Sequence, residues 1–312
     1  MASITREISP LEAMARSGRF DPAWFREPIS LDLSALKFAD AGAMACIKAL
    51  LANGQRYWPQ DACTLVSHEA QDAVRYLTRM DFFTQEIRWC RELGFEVNRY
   101  DATGRFLPIR NMREQRETPE VAKRIVQCLE VNNHASANTI KYALSEIIDN
   151  ALQHSESPAG THVTAQLFPK LDCVDAVIAD TGIGIRGHLA RHPQYRGLND
   201  DIEALRIALT PNVTGVYIPD RAEARLDFEN ENQGIGLSVT DHIIKRSAGG
   251  VLYVWSGKAL YRSNAGVEEM PVSWPGTVVF LHLPRSISVD HLQVIREIHV
   301  PLRRRRRGLR FD

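Results

Sequence analysis

The feature that most restricts this chain is an apolar run, Val174-Asp175-Ala176-Val177-Ile178-Ala179, that ends on Asp180 and breaks at once into Thr181-Gly182-Ile183-Gly184. The run reads as a strand, so a carboxylate is fixed at a strand end beside backbone that carries almost no side chains. A second glycine turn, Gly234-Ile235-Gly236-Leu237-Ser238, leads directly into a helix that runs to about Arg246. Exposed backbone N–H groups at such a helix start suit a phosphate. The polar stretch between the two turns carries one helical segment, NDDIEALRIAL.

Two helices are predicted upstream, roughly Pro119–Val131 and Ser136–His154. Thr118-Pro119-Glu120 supplies a start signal for the first: an N-cap, a proline at the first helical position and an acid in the first turn. In the second, Ile140, Ala143, Leu144, Ile147, Ile148 and Ala151 follow the i, i+3, i+4, i+7 period, so one face is core. Glu146 and Asn150, four apart, share a face at the margin of that stripe, where a cleft would open. HVTAQLF and CVDAVIAD read as a hairpin-like pair, and GVLYVWS, KALYRS and GTVVFLHLP as closing strands. Helices first, then strands around two glycine turns, give an α+β sandwich.

Residues 28–97 alternate instead. ISLDLSAL, ACTLVS and LGFEV read as strands, separated by the helices AGAMACIKALLANG, ended by Gly54, and EAQDAVRYLTRM. That alternation predicts a small α/β unit. The polar segment RYDATGRFLPIRNMREQRE follows, broken by Gly104 and Pro108, and places a boundary near residue 112. The division expected is 1–112, 113–300 and a basic tail, 301–312.

Composition narrows the class. Two domains suit 312 residues. Lys plus Arg and Asp plus Glu are 38 each, so no net field draws the whole chain to nucleic acid or membrane. MASITREISP carries Arg6 and Glu7 with no apolar core behind them, which predicts no secretory leader. No run approaches the ~18 apolar residues of a spanning helix; even AGAMACIKALL contains Lys48. Five cysteines, widely spaced and without CxxC, predict neither a disulfide framework nor a zinc site of the usual spacing. The expectation is a soluble protein of a reducing cytoplasm.

ExxxNAxxH at Glu146–His154, DxGxG at Asp180–Gly184, GxGLS at Gly234–Ser238 and then GTVVFLHLP resemble, in that order, the GHKL ATP-binding family. That superfamily includes histidine kinases, DNA gyrase, mismatch-repair ATPases, heat-shock chaperones and anti-sigma serine kinases, and the resemblance covers about residues 118–285. It implies a Bergerat-type α/β sandwich that takes ATP and Mg²⁺. It also implies roles: Asn150 for Mg²⁺, Glu146 as general base toward a water on the γ-phosphate, and Asp180 as acceptor of the adenine amino group. Gly182 and Gly184 would let backbone approach the nucleotide. Gly234 and Gly236, with Leu237, would meet the phosphates, Thr277 would lie behind the adenine, and 185–233 would be a lid. Three activities suit this set: a nucleotide-controlled ATPase switch, an anti-sigma-type serine/threonine protein kinase, or an ATP sensor that regulates a protein partner without turnover. A bacterial-type signalling role fits all three, and self-association is left open.

LDLSALKFADAGAMACIKALL resembles, more loosely, the STAS domain of anti-sigma-factor antagonists, in a strand, an aromatic and a helix opened by Asp40-Ala41-Gly42. The hydroxyl of that family's phosphorylation switch is missing: between Ser34 and Thr64 there is no Ser or Thr. His188 and His192, i and i+4, could form half of a metal site but have no third ligand at a recognisable spacing. His68-Glu69 resembles the phosphoacceptor box of histidine kinases without its long helix, and His154 reads as structural. Arg303–Arg307 and Arg310 read as a solvated tail that could also dock on nucleic acid, an anionic membrane or an acidic partner.

Overall fold

A computed structural model describes residues 10–59, 64–66, 72–83, 101–131, 133–210, 236–246 and 249–288. The expected strand LGFEV, the His68-Glu69 pair, Gly234 and the arginine tail lie outside these residues.

The fold is organised around β5 (Cys173–Asp180), which is buried at every position. A strand buried on both faces must be covered on both, and its near-continuous apolar sequence meets that demand. It lies at the centre of a five-stranded antiparallel sheet in the order β3 (Phe106–Met112), β4 (Thr161–Phe168), β5, β7 (Gly266–Pro284), β6 (Val251–Arg262). The β4–β5 hairpin pairs Thr161 with Asp180 and Phe168 with Cys173, which puts Asp180 at the open end of the strand.

One face carries α4 (Thr118–Leu129), α5 (His134–His154) and α8 (Gly236–Arg246). Ile140, Ala143, Leu144, Ile147 and Ile148 of α5 pack there with Val174, Ala176 and Ile178 of β5, as the helical period requires. Asn133 caps α5, accepting from the N–H groups of Ala135 and Ser136. The sandwich that the sequence implies is present. Thr118, however, is the first residue of α4 rather than its cap; its hydroxyl donates to Asp149 on α5 at 2.6 Å and joins the two helices instead.

The other face carries α1 (Pro10–Arg16) and α2 (Ala41–Gly54). Ala41, Ala45 and Ala49 set α2 closely against the sheet, among Val177, Ala179, Trp255 and Phe280. Its opposite side, Met44 and Leu51, packs with Leu33, Trp58, Val74 and Leu77. That second contact reaches the parallel pair β1 (Ser30–Asp32) and β2 (Thr64–Val66) and the helix α3 (Asp72–Arg79). So α2 is covered on two sides, which is why its sequence is apolar almost throughout. Lys48 is buried as well, and its ammonium donates to the backbone carbonyl of Asp81.

Two sequence expectations are corrected. GVLYVWS and KALYRS are one strand, β6, with an irregular register between Ser256 and Ala259 rather than a turn. The strand expected from Gly276 begins ten residues earlier, at Gly266; Pro271 and Pro275 disguise its first half, which reaches beyond the central pairing with β5.

Gly54 ends α2 as expected, for a packing reason. A Cβ there would lie 2.4 Å from the Phe25 carbonyl oxygen and 2.3 Å from the Trp58 ring. Gly54→Ala should therefore lower stability by about 1–3 kcal/mol. Urea unfolding measures this, and an unchanged midpoint would mean that Trp58 and the Phe25 backbone yield without cost.

Candidate functional site

Five of the residues that the family resemblance assigns to the nucleotide site line one cavity of about 160 Å³: Asn150, Asp180, Gly184, Leu237 and Thr277. Ile147 and Ala151 of α5, Ile178 of β5, Val254 of β6 and Val279 of β7 form its apolar walls. The last turn of α5 supplies Asn150 and His154, β5 ends on Asp180, and α8 enters with Leu237. Glu146 stands one helical turn before Asn150, half-buried, and is not among the lining residues. Gly236 opens α8.

Asp180 is 2% exposed. Its Oδ1 accepts the Gly182 N–H at 2.8 Å, while its backbone carbonyl accepts the Trp274 indole N–H at 2.8 Å. Burial pushes its pKa up to about 7, against the opposing pull of backbone hydrogen bonds from Gly182 and Thr277. A carboxylate so placed has no cation paired with it among the described residues and accepts readily from a donor that enters the cavity.

The turn after Asp180 is held by close contact. A Cβ on Gly182 would overlap the Ser155 carbonyl at the end of α5, and Ile183 donates its N–H to that same oxygen at 2.8 Å. Gly184 takes φ +67° and starts α6 (Gly184–Leu189), with Ser256 and the Gly276 carbonyl directly behind it. Ser256 accepts the Ile185 N–H at 3.0 Å and donates to the Gly276 carbonyl at 2.8 Å. Gly276 brings the β7 backbone against Asp180; a Cβ there would lie 2.6 Å from its Oδ1. Asp201, at the start of α7 (Asp201–Ala208), accepts from Arg186 at 2.6 Å and from the Lys258 N–H at 2.9 Å, tying α6 and α7 to β6.

These supporting residues were missed from sequence. A glycine directly before Thr277 was a usable signal for Gly276, whereas no local pattern marks Ser155, Ser256 or Asp201.

His154, read from the sequence as structural, lines the cavity with its ring 4.3 Å from that of His188. Burial lowers the pKa of both, His188 to about 4 with His154 and Arg191 adding to the effect, so the pair is neutral at pH 7. His192 points elsewhere: its ring lies beside Tyr195 and its Nδ1 accepts the Gln194 N–H. The metal half-site of His188 and His192 is therefore not formed. Glu146 has its pKa raised by burial and by repulsion from Asp149, with a hydrogen bond from Tyr142 acting in the opposite sense.

Residues 135–287 match the family described as histidine kinase-, DNA gyrase B-, and HSP90-like ATPase. Neither a curated protein nor a solved structure matches the chain. Among the described residues, no helix is long and apolar enough to cross a membrane.

The Asp180 environment predicts a trade of stability against binding. Its ordinary pKa is 3.8 and its folded value about 7. Folding therefore takes up a proton between those values, and above about pH 7 the full cost of a buried charge falls on the folded state. Asp180→Asn keeps the bond from Gly182 and removes the charge. The variant should be more stable than the parent at pH 8, by up to about 4 kcal/mol, and so unfold at a higher temperature, with the gain vanishing toward pH 4. Thermal unfolding at both pH values decides it; a variant less stable at pH 8 contradicts the buried-charge account.

Proposed function

Residues 135–287 are a domain of the histidine kinase-, DNA gyrase B- and HSP90-like ATPase family, an ATP-binding module of GHKL type, and on that premise we propose that the chain is a Mg²⁺-dependent ATPase acting as a nucleotide-controlled switch. The observation that carries this reading is the buried Asp180 carboxylate on the wall of a largely apolar cavity that Asn150 borders.

A narrow apolar slot with one buried acceptor suits a flat heterocycle bearing an exocyclic amino group. Asp180 accepts that amino hydrogen in a charge-assisted bond, with Thr277 behind the ring and Gly182 and Gly184 keeping backbone close to it. The walls of Ile147, Ile178, Val254 and Val279 exclude water and so strengthen the bond. Asn150, at the exposed margin of the cavity, would hold the magnesium. The N-terminus of the eleven-residue helix α8, with Gly236 and Leu237, turns backbone N–H groups toward the phosphates, a part also assigned to Gly234, which lies outside the described residues. Magnesium-bound ATP supplies the anhydride whose terminal phosphoryl group is transferred. Glu146, one turn from Asn150 and made more basic by burial, orients a water and takes its proton. To residues 185–233, of which 211–233 lie outside the described residues, we assign the part of a lid that excludes water.

Two outcomes other than hydrolysis are separable with γ-labelled ATP. Free phosphate marks an ATPase, label on a Ser or Thr of another protein marks a kinase, and neither marks a sensor.

Glu146 and Asn150 should fail differently. Glu146→Ala should keep ATP and Mg²⁺ bound and lower turnover by roughly 10²–10⁴-fold, the usual worth of a general base. Asn150→Ala should instead remove the Mg²⁺-dependent part of ATP affinity. Nucleotide titrations with and without Mg²⁺, beside a phosphate-release assay, test both; full turnover by Glu146→Ala would remove it as the base.

A further inference from the structure

At the opposite end of β5 from Asp180, three side chains of metal-binding chemistry converge. Cys173 and Asp175 are two apart on one strand and so share a face. Asp175 is the direct cross-strand partner of His282 on β7. In an antiparallel pair that register brings side chains into contact. One ligand atom from each of the three lies within 4.8 Å of the other two, and His282 Nδ1 is 2.6 Å from Asp175 Oδ1. Cys173 and Asp175 are buried, and His282 keeps part of its ring at the surface, which leaves a way in.

We infer that Cys173, Asp175 and His282 bind a divalent transition-metal cation of borderline softness, with zinc as the type.

The donor set selects the class. A thiolate and an imidazole favour zinc or cobalt over magnesium or calcium, which take oxygen ligands. Three protein ligands with a water in the fourth position complete a tetrahedral zinc site. With bonds of about 2.0–2.3 Å, neighbouring ligand atoms sit roughly 3.3–3.8 Å apart around such an ion. The cation therefore enters between Asp175 and His282, in place of the proton they share, and draws the thiol inward by side-chain rotation. Coordination needs the thiolate and a ring nitrogen lone pair, so those protons leave to solvent.

A second observation concerns an unpartnered carboxylate oxygen on the same side of the sheet. Asp40, the N-cap of α2, feels the charge of Asp175. Its Oδ2 is buried with no hydrogen-bond partner among the described residues. Among the ion pairs of the described residues the cation beside these two carboxylates is the His282 ring, and a divalent ion that displaces its proton brings two positive charges where one stood. All three ligands sit on paired strands of the central sheet, which fixes their spacing better than loops would. The sequence hid the site because its ligands are Cys-x-Asp on one strand and a histidine 107 residues later, not a CxxC pair.

The site is roughly 17–23 Å along β5 from Asp180, at about 3.3 Å per residue for Asp175 and Cys173, so it stands or falls independently of nucleotide binding. The test is a titration of the reduced, chelator-treated full-length chain with Co²⁺, followed by its thiolate-to-cobalt charge-transfer and tetrahedral d–d absorption. One equivalent should bind, and Zn²⁺ should displace it and bleach the bands. Cys173→Ser should abolish the charge-transfer band, and His282→Gln should weaken Co²⁺ binding by about tenfold or more. Far-UV circular dichroism reports whether the variants fold. If Cys173→Ser does not fold, His282→Gln decides, its ring being partly exposed. Absence of a thiolate band in the parent chain, survival of that band in folded Cys173→Ser, or unchanged affinity in His282→Gln would each overturn the assignment.

Discussion

Strand β5 is buried along its whole length, and its last residue is a carboxylate. Holding that charge away from water raises the Asp180 pKa to about 7, a cost set against every apolar contact the strand makes. Two backbone hydrogen bonds, from Gly182 and Thr277, limit the cost without cancelling it. The surrounding turns exist in the form they do because of this residue. Gly276 carries no side chain so that β7 can pass against it, Gly182 fits against the end of α5, and the Trp274 indole fixes the backbone from below.

The helices make that placement stable. β5 needs cover on two faces, and α5 and α4 supply it on one side, α2 on the other. Because α2 also packs on its far side against α3 and the short parallel pair, the N-terminal residues are joined to the sheet that carries the site. A change in α2 therefore bears directly on the strand that ends at Asp180. Asp201 makes a similar link on the other edge, holding α6 and α7 to β6 through Arg186 and the Lys258 backbone.

Much of the site was legible in the sequence because its chemistry is local. The helical period of α5 placed Glu146 and Asn150 on one margin, and the break after VDAVIAD placed Asp180 at a strand end. What was not legible depends on distant partners. Thr118 looks like a cap until Asp149 takes its hydroxyl, and the first half of β7 looks like a loop because Pro271 and Pro275 interrupt its pattern. Ser256 carries no signal at all, since its importance comes from Gly276 and Ile185, residues far away in the chain. The cavity position of His154 was not legible for the same reason: its neighbour, His188, is brought beside it by the turn at Gly184.

The central claim is that the buried carboxylate reads an exocyclic amino group. Calorimetric titration with ATP and with inosine triphosphate, which presents a keto oxygen where ATP has the amino group, tests it most directly. An oxygen facing Asp180 loses the hydrogen bond and leaves a buried acceptor unpaired, a difference of about 1–3 kcal/mol. The account predicts that ATP binds roughly ten- to a hundredfold more tightly than inosine triphosphate. Equal affinity for the two nucleotides would contradict it.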